Sequence, residues 1–268
     1  VPNQKLNIGR VANRYLTGRI YYLKMFDYGN WNMNDGSGFN VQGSDGNNGT
    51  IDTNQDINYV NNVMWKSAAP IEYNLVAQYD FNNNLIDSIG GNNGTGTDIT
   101  YNIGSFGNEA VFNGTTSEVR TPNSTVWDMT NGTNDIPIKI EVLVKFSNAT
   151  FEYLIAKCPS GATGWEMLKI NNRISLRIYD DLTSGSIECS CDLQTDSNGY
   201  NNIVFSYDGS GFSAGLDASV NGITNNLTQS QNSYNGTKLL TNDTTFGRVD
   251  RRNDRKLNGA ISQIKVFK

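Results

Sequence analysis

Residues Ile138–Phe146 read IKIEVLVKF, and this stretch decides the fold class of the protein. Apolar side chains occupy every second position, and three of the four positions between them hold lysine or glutamate. A period of two predicts a β-strand with one buried face and one exposed face. The same alternation returns in Arg173–Tyr179 and again between Ile203 and Tyr207.

Turn-forming residues separate these strands at short intervals. The chain of 268 residues holds 39 Asn and 27 Gly, two residue types that helices disfavour and that tight turns use. After residue 110, seven pairs mark hairpin turns: Asn113-Gly114, Asn131-Gly132, Asn198-Gly199, Asp208-Gly209, Asn221-Gly222, Asn235-Gly236 and Asn258-Gly259. The pattern predicts an all-β protein whose strands form a two-sheet antiparallel sandwich.

Two segments precede this sandwich. Gly9-Arg10-Val11 followed by Leu16–Phe26 repeats the motif that ends the chain at Gly247–Phe267. Residues 1–27 are therefore predicted to form a closing β-hairpin, which either ends an upstream module or completes a neighbouring sandwich. Residues 28–69 are rich in Gly and Asn and show no clear periodicity, which predicts an extended linker or arm.

Four motifs in the sandwich resemble a known domain family. They occur in the family's order and are Leu75–Thr95, Gly107–Thr115, Phe205–Gly222 and Phe246–Ile261. Their sequences are similar to the strands and turns of concanavalin A-like, laminin G-like jelly rolls. The resemblance implies a laminin G-like jelly roll over residues 70–268. Domains of this family bind glycans or proteins or act as spacers, in bacteriophage fibres, other virion surface proteins and secreted bacterial proteins.

Several functional classes are excluded by composition. The absence of His removes Ser-His-Asp and Cys-His nucleophiles and His-containing zinc sites. A net charge of −5 without a basic run argues against nucleic-acid binding, and no apolar stretch approaches the roughly 18 residues of a membrane span. Glycoside hydrolases of the resembled superfamily carry a Glu-x-Asp-x-x-Glu strand, which no glutamate here begins. We therefore expect no enzymatic activity and assign no catalytic residue.

The resemblance also implies a rim metal site near the start of the sandwich. Relatives often hold Ca²⁺ there through carboxylate, amide and backbone oxygens. The candidate ligands of a structural Ca²⁺ are Asp80, Asp87, Asn92 and Asp98. The alternative is that these side chains cap turns. Residues 52–56, DTNQD, mimic the start of an EF-hand loop but lack its Gly at the sixth position and its Glu at the twelfth.

Aromatic side chains beside polar groups are the predicted glycan contacts, because sugars present both apolar faces and hydroxyl groups. Trp127 and Trp165, each followed by an acidic residue, are predicted to lie in loops between strands. Tyr179 and Tyr234 are further outward-facing candidates. The alternative for each Trp is an aromatic ring that fills the end of the sandwich.

The sequence contains three cysteines. Cys189 and Cys191 are two positions apart in an extended segment, which places them on one face of a strand. We interpret Cys158, Cys189 and Cys191 as small buried apolar residues. The alternatives are a single disulfide to Cys158 and a thiolate metal site.

These observations predict a non-enzymatic protein of the virion surface, a phage fibre or capsid decoration. It would act in adhesion to host glycans or in virion assembly, with other virion subunits or further copies of itself as partners. The alternative is a secreted, extracellular bacterial carbohydrate-binding module or adhesin fragment.

Overall fold

The computed structural model describes residues 71–147, 149–159, 163–181, 185–250 and 255–268, together with six short strands before residue 51. The chain divides into two compact units, Val1–Pro70 and Ile71–Lys268. The EF-hand-like segment at residues 52–56 lies outside the described residues.

Six short strands are described in the first unit. They are β1 (Arg10–Val11), β2 (Arg14–Tyr15), β3 (Tyr22–Met25), β4 (Gly29–Asn32), β5 (Asn40–Gly43) and β6 (Gly49–Thr50). Strand β1 pairs with β2, and β3 to β6 pair antiparallel in chain order. Because β4, β5 and β6 lie within residues 28–69, part of the predicted linker has regular structure.

Fifteen strands and two 3₁₀ turns are described in the second unit. The strands are β7 (Leu75–Tyr79), β8 (Thr95–Thr97), β9 (Thr100–Gly104), β10 (Gly107–Asn113), β11 (Glu118–Thr121), β12 (Ile138–Phe146), β13 (Phe151–Lys157), β14 (Gly164–Ile170), β15 (Arg173–Asp181), β16 (Gly185–Asp192), β17 (Asn201–Tyr207), β18 (Leu216–Val220), β19 (Thr228–Asn232), β20 (Thr244–Phe246) and β21 (Asn258–Phe267). The 3₁₀ turns are Thr125–Trp127 and Ser213–Gly215, so the described part of the chain holds no helix long enough to cross a membrane.

These fifteen strands form two antiparallel sheets. The seven-stranded sheet has the order β18-β17-β12-β21-β10-β9, with β7 paired to the opposite end of β21. The eight-stranded sheet has the order β19-β16-β15-β14-β13-β20-β11-β8. This architecture confirms the predicted all-β, two-sheet antiparallel jelly-roll sandwich.

Strand β12 lies at the centre of the seven-stranded sheet, between β17 and β21. Its alternate side chains enter the main core between the sheets, and each is at most 1% exposed: Ile138, Ile140, Val142 and Val144. Burying each of these contributes about 1.5–3 kcal/mol to the free energy of unfolding. The side chains between them face solvent on the outer surface of the sheet, where the candidate site lies.

The eight-stranded sheet carries a second buried cluster on its outer face. Its members are Tyr153, Ala156, Cys158, Leu168 and Val249. The segment that carries Val249 lies against β13, where the Tyr153 N–H donates to the Arg255 carbonyl oxygen at 3.1 Å. Strands β13 and β14 are therefore buried on both faces. Along β12 and β17 of the other sheet, buried and part-exposed side chains alternate.

All three cysteines are buried, and none of them forms a disulfide within the described part of the chain. Cys189 and Cys191 face the main core, and burial raises the pKa of the Cys191 thiol to about 11. Cys158 belongs to the second cluster on the far side of the sheet. The interpretation as small buried residues therefore agrees with the structure, which contains neither a disulfide nor a group of metal-ligating thiolates among the described residues.

Candidate ligand-binding groove

Two adjoining hollows lie on the outer face of the seven-stranded sheet. The larger has a volume of about 410 Å³ and the smaller about 270 Å³. They share Phe106, Leu143 and Gln263 in their walls, so they form one continuous depression. We call it the sheet groove, and its further polar and charged lining residues are Asp80, Glu141, Asp196, Asn202, Asn221, Ser262 and Lys265.

The floor of the sheet groove is set by strand register. Leu143 on β12 lies opposite Asn202 on β17 and opposite Gln263 on β21. Two residues along the strand, on the same face of the sheet, Glu141 lies opposite Lys265. Because these residues occupy solvent-facing positions of neighbouring strands, the floor presents an apolar side chain flanked by two amides.

Phe106 stands at the edge of the groove, in the turn between β9 and β10. Its side chain is 54% exposed, and its ring meets the Tyr200 ring edge-on with 5.1 Å between centroids. The Tyr200 hydroxyl donates to Glu109 Oε2 at 2.5 Å, and Glu109 is buried. Burial, and after it this hydrogen bond, raises the pKa of Tyr200 above its ordinary value of 10.0. The aromatic edge is thus held by a buried polar contact rather than by the turn alone.

Gly104 makes that contact possible. A Cβ atom at this position would lie 2.3 Å from the Tyr200 hydroxyl oxygen and 2.5 Å from Glu109 Oε2. A side chain at this position would displace the Tyr200 hydroxyl and the Glu109 carboxylate, so glycine lets the β9–β10 turn lie against Tyr200 with their hydrogen bond intact.

Neighbouring groups already hold each carboxylate of the groove. Glu141 pairs with Lys139 at 2.6 Å. Asp196 Oδ1 accepts from the backbone N–H groups of Asn198 and Tyr200, at 2.8 Å each. Asp80 Oδ1 accepts from the side-chain amides of Gln78 and Gln263 at 2.8 and 2.7 Å. These bonds fix the positions of the carboxylates, which remain available to hydroxyl donors because each oxygen can accept more than one hydrogen bond.

Neither tryptophan predicted to bind glycans reaches the surface. Trp127 and Trp165 are 0% and 1% exposed, and their rings stack with 6.3 Å between centroids. The Trp165 Nε1–H donates to the Trp127 carbonyl oxygen at 2.8 Å. Both indoles belong to the main core between the sheets, so neither offers a face to a sugar.

The two predicted tyrosines do not face outward either, since Tyr179 is 8% and Tyr234 is 7% exposed. The Tyr179 hydroxyl donates to Glu166 Oε1 at 2.9 Å. The Tyr234 hydroxyl donates to Asp135 Oδ2 at 2.6 Å, and burial followed by this bond raises the pKa of Tyr234. Both hydroxyls are therefore used inside the protein, and neither residue lines the sheet groove.

The predicted calcium ligands are only partly brought together. Asp87 Oδ2 accepts from both the backbone N–H and the side-chain amide of Asn92, at 3.0 and 3.1 Å. Asp87 Oδ1 accepts three more backbone N–H groups, so this carboxylate organises its own turn. Burial alone would raise the pKa of Asp87, but the backbone donors together lower it. Asp80 belongs to the sheet groove, and Asp98 is exposed with φ of 49°.

The described residues contain no group of three or more Cys, Asp or Glu placed to hold a metal ion. Calcium binding at this rim stays a prediction.

Sequence reasoning missed Phe106 and Leu143. Phe106 lies in a short Ser-Phe-Gly turn without strand periodicity, and Leu143 occupies an outward position where an apolar residue looks like a break in the alternation. For Leu143 the sequence contained one signal, an apolar residue at a position of the strand whose other exposed positions hold charged residues. Its meaning depended on knowing which strands and which turn lie beside β12.

Solved structures with a similar fold include binding domains of botulinum neurotoxins. The serotype D binding domain superposes with a TM-score of 0.53 at 14% identity, over 72% of this chain and 47% of that chain. The serotype G binding domain superposes with a TM-score of 0.53 at 18% identity, over 72% of this chain and 47% of that chain. The receptor-binding domain of the C/D mosaic serotype superposes with a TM-score of 0.51 at 16% identity, again over 72% of this chain and 47% of that chain.

This chain therefore spans about half the length of those binding domains. No protein-family model and no curated protein matches the sequence. At this level of identity, the likeness shows a shared β-sandwich fold.

Proposed function

We propose that this protein is a non-enzymatic binding module that recognises a glycan of a cell-surface receptor through the sheet groove. One observation carries the proposal: a half-exposed aromatic ring, that of Phe106, lines the edge of a groove in whose floor Leu143 is flanked by the amides of Asn202 and Gln263. The groove thus combines an apolar surface with several fixed donors and acceptors in one depression.

Sugars match that combination. A pyranose ring has C–H groups that pack on an aromatic or aliphatic side chain, and hydroxyl groups that both donate and accept hydrogen bonds. Amides offer both functions, and carboxylates accept, so the polar lining of the groove can bond to hydroxyls on either side of the apolar contact. Binding sites generally show this division between apolar lining and a few fixed polar groups.

The similar solved structures support a binding role. They are described as binding or receptor-binding domains of botulinum neurotoxins. This chain covers about half of each of those domains, so recognition of a receptor by this chain is our proposal and does not follow from the shared fold.

Replacing Phe106 with alanine tests the proposal. We expect the substitution to weaken glycan binding by about 2 kcal/mol, or roughly thirtyfold in Kd, because it removes the only aromatic platform lining the groove in the described part of the chain. The measurement is a glycan array with the full chain, followed by calorimetric titration of the strongest ligand with both proteins.

Phe212→Ala is the matched control, because Phe212 is 61% exposed and does not line the groove. It should leave affinity unchanged. An array without any bound glycan would contradict the proposal, and so would equal affinity of the Phe106→Ala variant and the unmodified protein.

A second proposal concerns self-association, which is the finer feature expected of a virion subunit. Strand β19 ends the eight-stranded sheet, and all five of its residues, TQSQN, are exposed and uncharged. Exposed edges without charge or proline readily pair with another strand. We propose that two copies join through antiparallel pairing of β19. Self-association would favour the interpretation as a virion subunit, and a monomeric protein would favour the interpretation as a secreted carbohydrate-binding module.

Light scattering of the full chain over a range of concentrations tests this pairing. Ser230→Lys places a charge in the middle of β19 and should shift the assembly to monomers. Thr97→Lys, on the exposed strand at the other edge of the same sheet, should leave the mass unchanged. A monomer at every concentration would overturn the proposal, as would an assembly that Ser230→Lys does not weaken.

A further inference from the structure

The sheet groove is unevenly charged. Three carboxylates line it, from Asp80, Glu141 and Asp196, against one ammonium group, from Lys265. Two further lysines flank the lining without belonging to it: Lys139 is paired with Glu141, and the Lys145 ammonium lies 5.7 Å from the centroid of the Tyr200 ring. The excess of carboxylates is therefore confined to the residues that line the groove.

These carboxylates cannot easily turn away from a ligand. The backbone donors at Asp196 and the amide donors at Asp80 hold their carboxylates in place, and the pairing with Lys139 holds Glu141 against the floor. A hydroxyl group that approaches can donate to them. A ligand carboxylate or sulfate has no proton to donate and meets like charges at short range.

We propose that the groove selects neutral saccharides and rejects those that carry a carboxylate or sulfate group. The inference rests on the proposed glycan-binding function and specifies its ligand class. The apolar contact with Phe106 and Leu143 is common to both kinds of sugar, so it gives no discrimination. Discrimination comes from the three carboxylates, and Lys265 opposes it only in part.

A paired glycan array tests this selectivity. Each oligosaccharide is printed in a neutral form and in forms that bear one sialic acid, uronic acid or sulfate group. We expect acidic forms to bind about tenfold more weakly at low salt, because each groove carboxylate contributes a fraction of that factor. The difference should shrink as ionic strength rises, since salt screens charges at the surface.

Two double variants locate the source of the difference. Glu141→Gln with Asp196→Asn removes two groove charges, while each new amide oxygen can still accept the existing hydrogen bonds. Glu72→Gln with Asp98→Asn removes two charges at exposed positions that do not line the groove. Asn also tolerates the left-handed backbone of residue 98. In the groove variant Lys265 balances the one remaining carboxylate, that of Asp80, so this variant should bind neutral and acidic forms alike, whereas the control should still discriminate.

Equal or tighter binding of the acidic forms by the unmodified protein would overturn the inference while leaving glycan binding intact. A difference that persists in the groove variant would overturn it too. An array on which no saccharide binds would remove the proposed function, and this inference with it.

Discussion

Replacing Trp127 with alanine is expected to lower the free energy of unfolding by about 3–5 kcal/mol, because it opens a large cavity at a fully buried position. Three aromatic rings would lose a neighbour. The Trp127 ring lies 6.2 Å from Tyr79, 6.3 Å from Trp165 and 5.5 Å from Phe246, measured between centroids. Such ring pairs add about 0.5–1.5 kcal/mol beyond their buried area.

Denaturant unfolding followed by Trp fluorescence and circular dichroism measures this loss. The matched control is Phe212→Ala, an exposed aromatic residue whose removal should change stability by at most about 0.5 kcal/mol. Any Trp127→Ala protein that remains folded should bind glycans with unchanged affinity. A stable Trp127→Ala variant that no longer binds glycans would instead show that Trp127 contributes to glycan binding.

The role of these tryptophans could not be deduced from their local sequence. Trp165 lies in β14, where the residues from 164 to 169 are all buried, so the alternation that identifies a half-exposed strand is absent. Burial on both faces arises because the segment around Val249 packs on the outside of β13 and β14. That contact joins residues far apart in the chain, and no local pattern encodes it.

Elements that depend on local rules were predictable. Strand β12 has the bounds that its alternation indicates, and its register with β17 and β21 follows from burial of one face. In six of the seven turn pairs, the glycine has positive φ, as hairpin turns require: Gly114, Gly132, Gly199, Gly209, Gly222 and Gly236. Gly259 instead lies within β21, where a Cβ would come within 2.1 Å of the Lys145 carbonyl oxygen.

The groove was only partly predictable. Its chemistry, an aromatic ring beside amides, is what sequence reasoning sought, but the ring belongs to the β9–β10 turn and the amides to β17 and β21. Only the order of strands in the sheet brings Phe106, Asn202 and Gln263 to one depression. Strand order is set by crossovers between the sheets, which hydrophobic periodicity does not reveal.

A buried ion pair between Lys157 and Asp128 is the basis of a second prediction, a large loss of stability on substitution of Asp128. Lys157 Nζ lies 2.6 Å from Asp128 Oδ1, and the two side chains are 0% and 8% exposed. The same ammonium donates to Asn123 Oδ1 at 2.8 Å. Lys268 Nζ reaches the Asp128 carbonyl oxygen, and burial lowers the pKa of Lys268 to about 8. Two cationic side chains therefore share one nearby carboxylate.

Asp128→Ala should lower the free energy of unfolding by about 3–5 kcal/mol, because it leaves the buried Lys157 ammonium without its counter-ion. The double variant Asp128→Ala with Lys157→Met should recover much of this loss, since it removes the unpaired charge together with its former partner. Glu188→Gln is the control: it breaks the part-exposed Arg177–Glu188 pair and should cost about 1 kcal/mol or less.

The pH dependence of the Asp128→Ala variant separates a charge effect from a packing effect. A lysine whose folded-state pKa lies below its unfolded value destabilises the protein while it is protonated, so stability rises as the pH passes through the folded-state pKa. Asp128 normally raises the pKa of Lys268, and its removal lowers that pKa further below the ordinary 10.5. The deficit should therefore shrink as the pH is raised through the range between the lowered pKa of Lys268 in the variant and its pKa of about 8 in the unmodified protein. A deficit that is constant with pH, and that Lys157→Met does not reduce, would show that Asp128 acts through packing and not through its charge.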